Sequence, residues 1–206
     1  MDTIQLKATK RTALGKKATK AVRRSEMVPC VLYGEKEIIH FQIEEKKVKN
    51  LVYTPNVYIV QLDIDGTEVE AVMQDIQFHP VTDHILHMDF YQINDEKTFK
   101  IAIPVELQGV AEGVKAGGQM QLMQRKLKVK GLKKDLPNTI AINVEHLIIG
   151  KVIKVSDVKV DNLQLLNAKD SIVCAVKATR KAVSLSNQTE ETDDATEEGA
   201  EEAGKE

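Results

Sequence analysis

The sequence lacks tryptophan and contains only four phenylalanines, four tyrosines and two cysteines among its 206 residues. Valine, isoleucine and leucine therefore have to fill any hydrophobic core. Cys30 and Cys174 lie far apart in alternating apolar segments, which is typical of buried thiols in a reducing compartment. No apolar run approaches the roughly 20 residues that span a bilayer. The basic first residues are not followed by the apolar segment of a secretory signal. We therefore expect a soluble, cytoplasmic protein.

Charge is present in quantity but is distributed very unevenly along the chain. Residues 2–24 contain eight lysines and arginines against one acid, whereas residues 190–206 contain nine acids against one lysine. The net charge of −2 therefore conceals two strongly charged ends of opposite sign. A basic segment that leads into an apolar strand is typical of proteins that contact a phosphate backbone. The alternative is a solvated terminus without a partner.

The alternation of apolar and polar residues has a period of two over most of the chain, which predicts a mainly β protein. Asp65-Gly66 is a strong type I′ hairpin signal between two such runs. Short helices are expected over 17–26 and 44–52. Strands are expected around residues 4–8 and over 30–33, 38–43, 57–64, 67–78 and 85–93. Six strands with two short helices in residues 1–94 suggest a small closed or half-closed antiparallel β-barrel.

The polar segment 94–97 is the expected boundary to a second β-rich domain, residues 95–183. Its strands are expected over 99–107, 121–130, 139–144, 151–155 and 171–178. The glycine-rich segment 113–118 has neither Walker spacing nor a dinucleotide fingerprint, so we interpret it as a turn between strands. Residues 184–206 are too polar to offset their ordering entropy, and we expect them to form a disordered acidic tail.

Residues 79–90 contain three histidines and two aspartates, which invites a metal-binding interpretation. However, no cysteine or glutamate is placed to complete a tetrahedral site around them. In a strand over 85–91, the face toward the core carries Leu86, Met88 and Phe90. The opposite face carries His87, Asp89 and Tyr91. An exposed strand face with these polar groups suits contacts to RNA base edges and ribose, and Gln74 and Asp75 extend it. A merely solvated face is the alternative.

Several segments, in this order and spacing, resemble the bacterial large-subunit ribosomal protein twenty-five family in its long two-domain form, the CTC or general stress type. The resemblance covers residues 1–183. The matching segments are Arg11 with Gly15-Lys16-Lys17-Ala18, Arg23-Arg24, Val28-Pro29-Cys30-Val31-Leu32-Tyr33-Gly34, Gln74-Asp75-Ile76-Gln77-Phe78-His79-Pro80, His87-Met88-Asp89-Phe90, Gly109 with Glu112-Gly113-Val114-Lys115-Ala116-Gly117-Gly118, and Leu147-Ile148-Ile149-Gly150.

The resemblance implies a β-barrel that binds 5S rRNA at internal loop E, followed by a second domain on the outer large ribosomal subunit near the central protuberance. Where the family often has paired arginines, this chain has Lys20-Ala21, and Lys17 or Arg24 is expected to supply the missing charge. From the basic segment and the resemblance together, the expected RNA contacts are Lys10, Arg11, Lys16, Lys17, Lys20, Arg23, Arg24, Tyr33, Gln74, His87 and Asp89.

We therefore expect a structural ribosomal protein rather than an enzyme, with neighbouring ribosomal proteins as partners of residues 95–183. No catalytic residue, cofactor, metal, membrane or small-molecule substrate is expected. The first alternative is a free RNA-binding factor that joins ribosomes only under stress. The second is a small metal hydrolase that uses His84, His87 and Asp89.

Overall fold

The computed structural model describes residues 2–34, 37–95, 97–160 and 162–179. The residues predicted to form the acidic tail lie outside these ranges. Along the chain the elements are β1 (Asp2–Lys10), α1 (Lys16–Arg24), β2 (Met27–Tyr33), β3 (Ile39–Glu44), α2 (Glu45–Val52), β4 (Tyr58–Ile64), β5 (Thr67–Phe78), β6 (Ile85–Gln92), β7 (Phe99–Gln108), α3 (Glu112–Lys115), β8 (Gln119–Leu122), β9 (Lys126–Gly131), β10 (Ile140–Asn143), β11 (Val152–Lys154), β12 (Gln164–Leu165) and β13 (Ile172–Lys177). The chain is thus mainly β, as predicted. Among these helices none is long and apolar enough to cross a membrane.

The first six strands form a closed barrel in the order β1-β3-β2-β6-β5-β4. Two antiparallel three-stranded groups, β1-β3-β2 and β4-β5-β6, are joined by parallel pairing of β1 with β4 and of β2 with β6. The barrel is therefore mixed, and the expectation of a wholly antiparallel one needs correction. Alternation reports which residues face the core, and it is the same for either strand direction.

The barrel core is filled by aliphatic side chains around two aromatic rings. Phe41 and Phe90 are both fully buried, and their ring centroids lie 5.7 Å apart. The aliphatic and small residues packed with them include Leu6, Ala8, Val28, Cys30, Leu32, Ile43, Val48, Val60, Leu62 and Met88. Each buried aliphatic side chain contributes roughly 1.5–3 kcal/mol. The aromatic-poor composition is therefore sufficient for a closed barrel.

The hairpin between β4 and β5 follows the predicted turn chemistry. Asp65 and Gly66 both have positive φ values, 50° and 90°, as a type I′ turn requires. The Gly66 backbone N–H donates to Asp63 Oδ1 over 2.9 Å. This turn fixes the register of β4 against β5, including the pair Ile64 and Thr67.

The chain divides into two compact units that do not follow a single cut in the sequence. Within the described residues, the first unit comprises 2–104, 126–140 and 160–166, and the second comprises 105–125, 141–159 and 167–179. The described strands beyond the barrel form a four-stranded sheet, β10-β7-β9-β12, and a three-stranded sheet, β11-β13-β8. The predicted domain boundaries, 1–94 and 95–183, stay a prediction.

Two expectations for the second half differ from the structure. The single strand predicted over 121–130 is two strands, β8 and β9, because the backbone N–H groups of Met123 and Gln124 both turn to the Val173 carbonyl. The glycine-rich segment contains the one-turn helix α3 rather than a simple turn. A Cβ on Gly113 would approach the Ile149 nitrogen to 2.6 Å. That glycine therefore permits close packing against the protein's own backbone.

Candidate nucleic-acid interface

The basic segment at the start of the chain is held in place by hydrogen bonds to the barrel. Lys10 ends β1, and its backbone N–H donates to Asp65 Oδ2 over 3.0 Å. The Arg11 backbone N–H donates to the His40 carbonyl over 2.8 Å. The alternating apolar residues of β1 pack into the barrel, so the position at which the cationic segment begins is fixed.

Helix α1 carries most of the predicted phosphate contacts on its outer side. Ala18, Thr19 and Val22 are half-buried, and no acid lies in the first turn. The exposed cations of the helix are Lys16, Lys17, Lys20, Arg23 and Arg24. Positive charge is therefore concentrated on the surface that faces away from the barrel.

The Arg11 side chain contacts α1 and the loop that precedes it instead of extending freely into solvent. Its guanidinium Nη2 donates to Thr19 Oγ1 over 3.3 Å and to the Ala13 carbonyl over 3.4 Å. Arg11 is half-buried. It therefore adds positive charge next to α1, and it also fixes the loop that precedes the helix.

Arg23 connects α1 to β6. The face of β6 that carries His87 and Asp89 is predicted to contact RNA bases, and we call it the reading face. Its guanidinium Nε donates to the Leu86 carbonyl oxygen over 3.0 Å. Leu86 immediately precedes His87 on β6. The end of the cationic helix is thereby fixed next to the predicted base-contacting residues.

His87 and Asp89 lie on the same face of β6 and contact each other. His87 Nδ1 and Asp89 Oδ1 are 2.7 Å apart, and the two side chains are 30% and 32% exposed. Across the strand pair, Asp89 lies opposite Asp75 on β5. The face thus offers an oriented imidazole and two carboxylates that accept hydrogen bonds from base amines or 2′-hydroxyl groups.

The core-facing assignment of Leu86 was wrong, whereas Met88 and Phe90 are buried as predicted. The register of β5 against β6 shifts so that Gln77 pairs with His87 and Phe78 with Ile85. Ile85 consequently occupies the core position, and Leu86 is only half-buried. A bulge displaces the alternation by one residue, and the side-chain pattern alone does not reveal it.

A second bulge places Gln74 at the far end of the same surface. Met73 pairs with Phe90 and Asp75 with Asp89, so Gln74 is the extra residue of β5. Its Nε2 donates to the Lys100 carbonyl over 2.7 Å. The amide is therefore oriented by the protein before any ligand arrives.

Tyr33 completes the surface at the end of β2. Its ring meets Tyr91 edge to face, with centroids 5.8 Å apart. Partial burial and the neighbouring carboxylates of Asp89 and Asp75 raise the pKa of the Tyr33 hydroxyl above its ordinary value. The hydroxyl therefore stays protonated at physiological pH and is available as a hydrogen-bond donor.

The RNA contacts expected from the sequence do not include Tyr91 or Asp75. The strand alternation placed Tyr91 beside His87 and Asp89, and the position next to Gln74 pointed to Asp75. Their pairing with Tyr33 and Asp89 depends on strand register, which the alternation of residues leaves open.

The remaining histidines of the segment do not converge with His87. His84 Nδ1 lies 3.1 Å from Glu45 Oε1, and His79 Nδ1 accepts the backbone N–H of Thr82 over 3.3 Å. Within residues 2–34, 37–95, 97–160 and 162–179, no three potential ligands lie together as a metal site would require. The hydrolase alternative therefore has no geometric support.

Both cysteines are buried free thiols, as predicted. Burial raises the pKa of Cys30, and the nearby Asp89 carboxylate adds to the effect. Burial also raises the pKa of Cys174. These thiols pack as small apolar side chains and are poor nucleophiles.

Comparison with known proteins identifies the relatives of this chain. The model of the ribosomal L25p family matches residues 6–90, and that of the ribosomal protein TL5 C-terminal domain matches residues 98–180. Large ribosomal subunit protein bL25 of Bacteroides thetaiotaomicron is 49% identical over 187 residues, covering 88% of this chain and 95% of its own length. The chain belongs to the ribosomal L25p family. The bL25 protein of Azobacteroides pseudotrichonymphae is 51% identical, covering 91% of this chain and 100% of its own length. The bL25 protein of Porphyromonas gingivalis is 47% identical, covering 88% of this chain and 96% of its own length.

Membership in the L25p family confirms the resemblance seen in the sequence motifs. The family is one of ribosomal proteins, so the chain is a structural component of a cytoplasmic particle and not an enzyme. The RNA contacts expected on the cationic helix and the polar strand face stay a prediction.

Proposed function

We propose that this protein is a structural constituent of the large ribosomal subunit that binds 5S rRNA at internal loop E, near the central protuberance. The name shared by its relatives, large ribosomal subunit protein bL25, supports the assignment to the large subunit. The resemblance to the long form of the family supports 5S rRNA as the target and internal loop E as the binding site.

The observation that carries the proposal is the hydrogen bond between Arg23 and the Leu86 carbonyl. It places a helix with five exposed cations beside a strand face that offers His87 and Asp89. Phosphate contacts position an RNA, and base-edge contacts specify its sequence. The barrel supports both kinds of contact at one place.

The chemistry of the strand face suits an irregular RNA helix. The major groove of A-form RNA is too deep and narrow for side chains to read, whereas an internal loop exposes base edges and widens the groove. A carboxylate such as Asp89 is repelled by phosphates, so it favours only RNA that offers it specific donors. Asp89 and Asp75 therefore act as selectivity elements within a positively charged surface.

The proposal is tested by measuring binding of the full chain to three RNAs in a salt titration. The RNAs are 5S rRNA, a 5S rRNA whose loop E is replaced by regular base pairs, and an unrelated RNA of equal length. We expect intact 5S rRNA to bind most tightly. Each neutralised phosphate adds about 0.7–0.9 to the salt slope, so six or seven contacts give a slope of roughly −4 to −6. Equal affinity for all three RNAs contradicts the proposal.

A further inference from the structure

Strand β9 has one buried face and one lysine-bearing face. Leu127 and Val129 are fully buried. The intervening positions, Lys126, Lys128 and Lys130, point the other way, and Lys126 and Lys128 are exposed. This is the alternation of a half-buried strand, and all of these residues belong to the first compact unit.

The pairing of β9 with β7 enlarges this basic surface. Lys100 of β7 lies opposite Lys130, and Pro104 lies opposite Lys126. Lys100 is exposed, while its neighbour Ile101 is buried. Four lysines, Lys100, Lys126, Lys128 and Lys130, thus occupy the same side of two adjacent strands; we call Lys100, Lys126 and Lys130 the lysine face. Like charges placed on neighbouring strands destabilise a sheet slightly.

The lysine face is continuous with the RNA-binding surface of the barrel. The Lys100 carbonyl accepts the hydrogen bond from Gln74. An open cavity of about 430 Å³ is lined by Lys100 and Lys130 together with Tyr33, Gln74 and Tyr91. A second cavity of about 590 Å³ is also lined by Gln74, together with Lys100 and Lys126 among other residues. The lysines therefore line cavities that Gln74 also lines.

We propose that the lysine face binds backbone phosphates of the RNA that α1 and β6 hold, next to the segment whose bases are read. The identity of that RNA rests on the proposed function, but the phosphate chemistry does not. Lysine ammonium groups are compact point charges that bind phosphate without a fixed geometry. Contacts of this kind add affinity and salt dependence without sequence preference.

RNA is favoured over an acidic protein partner by what lies beside the lysines. The half-buried aromatic rings of Tyr33 and Tyr91 share the smaller cavity with Lys100 and Lys130, and aromatic rings beside cations are typical of surfaces that bind single-stranded nucleic acid.

The test uses the full chain with the triple substitution Lys100→Gln, Lys126→Gln and Lys130→Gln. The matched control is Lys46→Gln, Lys47→Gln and Lys49→Gln, which removes equal charge from exposed lysines of α2. Binding to 5S rRNA and to an RNA duplex of arbitrary sequence is measured against salt. We expect the salt slope of the lysine-face variant to fall in magnitude by about 2 on both RNAs, at 0.7–0.9 per phosphate. The control keeps the wild-type slope.

A third variant with arginine at the same three positions separates charge from folding, because it is expected to retain the wild-type slope. A lysine-face variant with wild-type slopes on both RNAs overturns the inference. So does a variant whose only defect is weaker binding of a polyglutamate peptide, since that result assigns the face to an acidic protein. If the wild type shows no preference for 5S rRNA, the proposed function fails, and the duplex measurement still decides the role of the lysines.

Discussion

In the proposed complex, selectivity for RNA depends most on Asp89. It contacts His87 and lies opposite Asp75, and it adds to the effect of burial in raising the pKa of Tyr33. A carboxylate so placed lowers affinity for any RNA that offers only phosphates. It increases affinity only where a base amine or a 2′-hydroxyl donates to it.

Substitution of His87→Ala or Asp89→Ala is expected to weaken binding to 5S rRNA by about 1–3 kcal/mol. Binding to an unrelated RNA should change little, because neither residue contacts phosphate in the proposed complex. Competition between the two RNAs in a gel-shift assay measures the difference. His84→Ala is the matched control, since His84 contacts Glu45 instead of the reading face. Tighter binding of Asp89→Ala to 5S rRNA would show that the strand face is merely solvated.

Cys30 links the stability of the barrel to alkaline pH. Its pKa is raised in the folded protein, whereas an unfolded thiol titrates near 8.5. Above about pH 8.5 the unfolded state binds fewer protons than the folded one, so stability falls with rising pH. One such group contributes at most about 1.4 kcal/mol per pH unit. We expect Cys30→Ala to flatten this alkaline decline in urea unfolding.

The Cys30→Ala protein should also be less stable at neutral pH, because the substitution leaves space in the core. Cys174→Ala is the matched control, as it leaves Cys30 in place and should retain the decline that Cys30 causes. An alkaline decline of the same steepness in Cys30→Ala and wild type would contradict the assignment.

At the scale of elements, the important relation is between α1 and β6. The helix has no fully buried residue, so its orientation depends on half-buried contacts and on the Arg23 hydrogen bond to Leu86. Arg24, the next residue, is exposed and ends the helix. The two arginines therefore have the same charge but different expected roles.

We expect Arg24→Ala to weaken 5S rRNA and unrelated RNA alike and to lower the salt slope by about 0.7–0.9. Arg23→Ala should cause the same loss of slope and should also reduce the preference for 5S rRNA, since the helix is no longer fixed beside His87. Salt titrations with both RNAs distinguish the two variants. Equal preference for 5S rRNA in Arg23→Ala and Arg24→Ala would assign both arginines to phosphate contact alone.

The elements that the sequence predicted are those specified by short-range patterns. Asp65-Gly66 specified a turn type, and the alternation within β6 identified Met88 and Phe90 as buried. The parallel seams of the barrel and the bulges at Gln74 and Leu86 depend on pairings between distant segments. In the sequence, the lysines of β9 alternate with apolar residues as in any half-exposed strand. Their position opposite Lys100 and next to Gln74 depends on strand register, so the sequence pattern does not reveal it.

At the scale of the whole molecule, the acidic residues at one end of the chain are expected to compete with RNA for the basic residues at the other. Residues 190–206 contain nine acids against one lysine, and negative charge on the same chain competes with phosphate for the cations of α1. This competition is strongest when salt does not screen it.

Deletion of residues 185–206 is expected to leave the melting temperature unchanged and to leave 5S rRNA binding equal or slightly tighter. The gain should be largest at low salt and should disappear as the Debye length shortens to about 8 Å near physiological ionic strength. Affinity and thermal unfolding of the full chain and the shortened chain measure both effects. A large loss of affinity or stability on deletion would give these residues a structural role.

The two parallel strand pairs, β1 with β4 and β2 with β6, also determine when the barrel can form during synthesis of the chain. Asp2 pairs with Tyr58, and Cys30 pairs with Met88, so the barrel closes only after β6 has been synthesised. Pairings between distant segments form slowly. The cations of α1 emerge from the translating ribosome well before β6 supplies His87 and Asp89. If the proposed function holds, we therefore expect each newly made chain to attract RNA of any sequence first and to acquire its ability to discriminate only when folding is finished.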